Sequence, residues 1–95
     1  MIIGNKNERS LDNPCTLVGD GAERKILCAE IPTHSSEFFK ASQQGIQVSR
    51  TLVVNSDEYC CENKCIYDGT AYRIYRYYPM SDGFTELYLE ERMGV

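Results

Sequence analysis

Lys64-Cys65-Ile66-Tyr67-Asp68-Gly69-Thr70-Ala71-Tyr72-Arg73-Ile74-Tyr75-Arg76-Tyr77-Tyr78 is the stretch that decides the fold. Two runs rich in aromatic and β-branched residues flank an Asp-Gly pair, which favours the positive φ angles of a two-residue hairpin turn. Residues 64–67 and 70–78 therefore read as antiparallel partners. Downstream, Pro79-Met80-Ser81-Asp82-Gly83 reads as a loop and 84–92 as a further strand, with Leu87 and Leu89 opposed to Glu86, Tyr88 and Glu90. Two hairpins in series make a meander.

Upstream, 46–54 places Ile46, Val48, Leu52 and Val54 on one face against Gln47, Ser49 and Thr51, with Arg50 interrupting the apolar row. Residues 25–31 read as a strand with Leu27, Ala29 and Ile31 on one face and Ile26 and Cys28 on the other, ended by Pro32. A short strand, 15–18, precedes the Gly19-Asp20-Gly21 turn. Between the second and third strands, Thr33 to Gly45 reads as a helix of two to three turns: a hydroxyl caps its start, Glu37 suits the positive end, and Gly45 stops it. The polar opening, residues 1–14, reads as a flexible arm, leaving 15–95 as one domain. The expected fold class is mainly β: a small, partly closed barrel of about six short antiparallel strands with one inserted helix, because so short a sheet must curl to cover its apolar face.

A chain of 95 residues, 42% of them hydrophobic, has material for one core. Its net charge of −4 argues against a nucleic-acid binder, since phosphate affinity comes from clustered Lys and Arg. No apolar run approaches a membrane span, and five cysteines without an export signal point to reduced thiols in a bacterial cytoplasm. Neither cofactor, membrane nor small-molecule ligand is expected.

Cys60-Cys61-x-x-x-Cys65 lacks the second knuckle a structural zinc needs, and small apolar side chains explain the cysteines better. His34 lacks an orienting acid for a Cys-His pair, and Glu86, Glu90 and Glu91 read as a solvated face. No enzymatic site is expected. The tyrosines are more informative. Alternation sends Tyr72 and Tyr78 to one face and Tyr75 and Tyr77 to the other, which suits either a two-sided core strand under the helix or a protein interface. On the helix, Phe38 and Phe39 differ by about 100°, so either both are core or one is left for a partner.

The helix segment Ser35-Ser36-Glu37-Phe38-Phe39-Lys40-Ala41, the run Val53-Val54-Asn55-Ser56-Asp57-Glu58-Tyr59, the 65–77 hairpin and the closing Thr85-Glu86-Leu87-Tyr88-Leu89-Glu90-Glu91-Arg92 together resemble the head-closure, or head-tail adaptor, proteins of long-tailed bacteriophages and prophages. That family's pattern has an acid, two aromatics and Ala in the helix, and a strand-turn-strand with Tyr and Gly at the positions of Tyr67 and Gly69. The chain departs from it at Cys60-Cys61-Glu62-Asn63, where relatives often carry a Gly-containing turn, and at Ile74 in place of Val.

The resemblance implies a structural protein of the virion neck, built in the host cytoplasm. It would form a ring on the portal-connector, meet tail-completion proteins, and help retain DNA that passes without sequence-specific binding. It further implies a channel-facing gating segment at Ser36, Glu37, Phe38, Phe39, Lys40, Gln43 and Gln44. Arg73, Tyr75, Tyr77 and Tyr88 are the candidate assembly interface. The alternative function is a small-barrel module for single-stranded nucleic acid, on which Tyr75, Tyr77, Arg73 and Arg76 would form a stacking surface.

Overall fold

The computed structural model describes residues 11–91. The chain runs β1 (Asn13–Gly19), β2 (Ala22–Ile31), α1 (Ser35–Gln43), β3 (Val48–Asn55), a 3₁₀ turn at Ser56–Glu58, β4 (Lys64–Tyr67), β5 (Thr70–Pro79) and β6 (Phe84–Glu91). All strand pairs are antiparallel, in the order β1-β2-β3-β6-β5-β4. A mainly β chain of six strands with one inserted helix is as the sequence reads. The barrel, however, is fully closed: β1 pairs with β4 from Cys15↔Tyr67 to Val18↔Lys64. Closure satisfies two rows of backbone donors and acceptors that an open sheet would leave at its edges.

Each strand sends two side chains inward: Cys15 and Leu17, Ile26 and Cys28, Leu52 and Val54, Cys65 and Tyr67, Tyr72 and Ile74, Leu87 and Leu89. The registers set them side by side around the interior, with Leu17 beside Cys65, Cys28 beside Val54, Leu52 beside Leu87 and Ile74 beside Leu89. Six strands enclose little space, and small Cys side chains between Leu and Tyr fill it without overpacking. That explains three of the five cysteines. Cys60 and Cys61 depart from the expected core role, because both are exposed.

Two β-bulges break the strict alternation that the sequence suggests. In β3 the register shifts between Val48 and Arg50, so Val48 opposes Glu90 on the outer face and Arg50 opposes the inward-facing Leu89. Arg50 thereby reaches the barrel end, where its guanidinium lies 5.4 Å from the Tyr67 ring centroid, bonds the Tyr72 hydroxyl at 2.7 Å and pairs with Glu30 at 2.8 Å. The interruption in the apolar row is a polar lid on the core. In β5 the shift falls between Ile74 and Arg76. Tyr77 then opposes inward-facing Leu87 and stacks edge-on against Tyr59, with ring centroids 5.1 Å apart, while Tyr75 and Arg76 both serve the outer face. Tyr75 and Tyr77 thus do not share a face, correcting simple alternation: the extra bulge residue inverts the phase.

The 64–79 hairpin turns at Asp68 and Gly69, with φ of 53° and 77°, the double positive φ that Asp-Gly favours. β1 begins at Asn13, earlier than expected. Pro14 fits there because it pairs only with β2 and lies beyond the stretch bound by β4. Residues 1–10 of the expected arm, and Arg92 of the expected last strand, lie outside the described residues.

Candidate interaction surface

The helix that interrupts the strand order is pinned by a few polar contacts. Its N-cap is His34, in extended backbone and with no side-chain cap; Glu37 and Phe38 close the first turn by donating their backbone N–H groups to the His34 carbonyl. The hydroxyl cap suggested by the sequence is therefore not formed. At the other end the N–H groups of Gly45 and Ile46 reach the carbonyls of Ser42 and Ala41, a Schellman closure in which Gly45 takes φ 75°. Gly45 stops the helix as its sequence position suggests.

Glu37 and Ala41, one turn apart, form the buried face of the helix. It lies over the outer face of the sheet, where Val48, Thr51, Val53, Glu86 and Tyr88 are buried away from the barrel interior. Glu37 is 5% exposed. Its carboxylate accepts the Tyr75 hydroxyl at 2.8 Å and an Arg76 guanidinium N–H. The β5 bulge is what aims both donors at it. Arg76 also lies 4.4 Å above the Tyr88 ring centroid, and the Tyr88 hydroxyl donates to Glu86.

Burial works to raise the Glu37 carboxyl, but the Arg76 and Tyr75 hydrogen bonds and the Arg76 charge outweigh it and hold the group below the usual carboxylate range. Burial, followed by their carboxylate partners, pushes the Tyr75 and Tyr88 hydroxyls up, so both remain donors. Glu86 is not on a solvated face as expected, since the helix side of β6 is covered; Glu90 is half-buried against Arg73 at 2.6 Å, and Glu91 is exposed.

Because the helix docks through Glu37 and Ala41, its two aromatics point elsewhere. Phe38 is 48% exposed and Phe39 64% exposed, so neither belongs to the core. With Ser42, Ile46 and Val48 they line an open cleft of ≈ 650 Å³. Ser36, Lys40, Gln43 and Gln44 are exposed on the helix and do not line the cleft. The candidate gating segment is thus one exposed ridge except for Glu37, which is its fastening. The other candidate residues are dispersed: Arg73 is occupied by Glu90, Tyr75 by Glu37, Tyr88 is 4% exposed beneath Arg76, and Tyr77 lies at the barrel mouth.

Sequence reasoning passed over Arg76 as an anchor and Glu37 as its buried partner. No local signal marks them, because the helix stripe that carries Glu37 has Ala41 as its one small apolar neighbour, and a buried acid there shows only once Arg76 is placed opposite it.

Among the described residues no group of three or more His, Cys, Asp or Glu side chains is placed to hold a metal, and no helix is long and apolar enough to cross a membrane. No family profile, curated protein or solved structure matches the chain.

Proposed function

We propose that this chain is a non-enzymatic assembly protein, a head-tail adaptor or head-closure component of a long-tailed bacteriophage or prophage. The observation that carries the reading is the inserted helix: a short element fastened to a closed barrel through Glu37, presenting Phe38 and Phe39 beside an apolar cleft. Two exposed aromatics on a rigid scaffold suit protein recognition, since desolvating them on a partner supplies binding energy at little ordering cost. Further support comes from the sequence resemblance. Cys61, at φ 66°, takes a left-handed conformation in the turn where that resemblance places a glycine.

In this reading, subunits ring the portal-connector in the virion neck, tail-completion proteins dock below, and packaged DNA passes without base-specific contact. The nucleic-acid alternative is weaker: Arg73 and Arg76 are neutralised by Glu90 and Glu37, and Tyr75 and Tyr77 do not form one stacking platform. The test is assembly on the cognate portal-connector, followed by electron microscopy and sedimentation. A ring of added density is expected for the native chain and its loss for Phe39→Asp, with an unchanged far-UV spectrum. Failure of the native chain to associate with connector or tail proteins would refute the proposal.

A further inference from the structure

Cys60 and Cys61 are adjacent, both exposed, and both border one polar cavity of ≈ 380 Å³ that is also lined by Gly19, Arg24 and Glu62. Two successive residues in extended backbone would send their side chains to opposite sides. Here Cys61 sits at φ 66°, outside extended geometry. The surrounding loop is braced on three sides. Arg24 pairs with Glu62 at 2.6 Å and bonds the Glu58 carbonyl at 2.6 Å; Glu62 accepts the Cys60 N–H at 2.9 Å; and the Tyr59 hydroxyl donates to the Glu62 carbonyl at 2.7 Å. The Cys61 thiol lies 3.6 Å from the Tyr77 hydroxyl. These contacts hold the backbone that carries the two neighbouring thiols.

Its chemistry follows from its spacing. The described peptide bonds are all trans, so the two Cα atoms are about 3.8 Å apart, nearer than the ~4.4 Å at which ordinary disulfides begin. A direct S–S bond is therefore strained and readily reduced. A larger thiophilic atom inserted between the sulfurs relieves that constraint, because it separates them by two long bonds instead of one. Soft centres also prefer thiolate ligands.

We infer that Cys60 and Cys61 form a chelating site for a soft, thiophilic centre that takes two thiolates, of which trivalent arsenic is the representative. For a monosubstituted arsenical the reaction is R–As(OH)₂ with two protein thiols. Two As–S bonds replace two As–O bonds, each thiol proton leaves with a hydroxide as water, and arsenic stays trivalent. The second As–S bond closes within one molecule, so retention exceeds that of a single thiol by about 100-fold or more. The site lies in the 58–63 loop and not on α1, so it stands or falls separately from docking through Phe38 and Phe39.

The experiment incubates the reduced native chain with phenylarsine oxide, washes with a monothiol, and reads the intact mass and the modified peptide. One arsenical per chain is expected, mapped to Cys60 and Cys61, surviving the monothiol and released by a 1,2-dithiol. Cys60→Ser and Cys61→Ser should each lose retention by about 100-fold while the far-UV spectrum stays unchanged. Equal retention by either variant, adducts mapped to Cys15, Cys28 or Cys65, or uptake only after denaturation would each overturn the inference. Because the mapping uses the native chain, it decides the matter even if a variant folds poorly.

Discussion

Replacing Glu37 by Gln preserves the shape of the side chain and removes its charge, which isolates the fastening of the helix. Glu37 has a side chain 6% exposed, whereas its partner Arg76 is 43% exposed. Breaking a fully buried pair costs about 3–5 kcal/mol, and losing an exposed one about 0.2–1 kcal/mol. Arg76 can turn to water when the carboxylate is gone, but the glutamine amide stays under the helix with an ill-matched hydrogen-bond set. The expected destabilisation is therefore intermediate, about 2 kcal/mol.

With a urea slope of about 1.5 kcal/mol/M, that is a midpoint lower by about 1.3 M, and a melting temperature lower by roughly 8–16 °C. Hydrogen exchange locates the effect. Amides of α1 should lose protection before those of the barrel, because few other contacts hold the helix. A double-mutant cycle with Arg76→Met should return a coupling of about 1–2 kcal/mol. A midpoint shift below about 0.3 M, or zero coupling, would refute the fastening.

The same carboxylate sets a pH response. Its folded pKa lies below the unfolded value, so its contribution is complete above the unfolded pKa of about 4.3 and fades as pH falls through the folded one; urea midpoints of the native chain should drop in that window more than those of Glu37→Gln. Gly69→Ala should cost about 1 kcal/mol in a thermal melt: its φ of 77° disfavours any side chain, and no atom lies near the added Cβ, so the cost is conformational alone. Leu87→Ala, at a side chain 0% exposed, should cost about 3–5 kcal/mol, which leaves about 0–2 kcal/mol of a native stability of about 5 kcal/mol, and calorimetry should find the melting temperature lower by roughly 12 °C or more. In native buffer a thiol reagent should titrate Cys60 and Cys61 quickly and reach Cys15, Cys28 and Cys65 only on unfolding, burial having pushed the Cys65 thiol up to about 12.

What was legible in the sequence was local chemistry. Asp68-Gly69 dictates its turn, Gly45 ends its helix, and the alternation of 84–91 puts Leu87 and Leu89 inside with Tyr88 outside, as found. What was not legible depends on long-range partners. Neither bulge has a sequence mark. A residue gained at Tyr75 or Ser49 shows only when the opposing strand is known, and each reverses the side-chain phase beyond it. Burial of Glu37 and Glu86 was hidden for a related reason, since carboxylates are read as solvent-facing until donors such as Arg76 and Tyr88 are placed against them. Phe38 and Phe39 read equally as core or surface because the helix stripe that docks is chosen by the acid between His34 and Ala41, not by the aromatics.

The β1–β4 seam carries a kinetic implication. About fifty residues separate Cys15 from Tyr67, so the pairing that completes the cylinder is the most expensive loop to close and belongs late in folding, on the millisecond-to-second scale of non-local β topologies. Until then both strands present bare backbone to the surroundings, and a growing chain on the ribosome holds β1 unmatched until β4 and its hairpin emerge. Crowding by neighbouring copies during synthesis is thus the moment of greatest risk for this chain, and mutations in the seam should reduce soluble yield more than they reduce the stability of the finished protein.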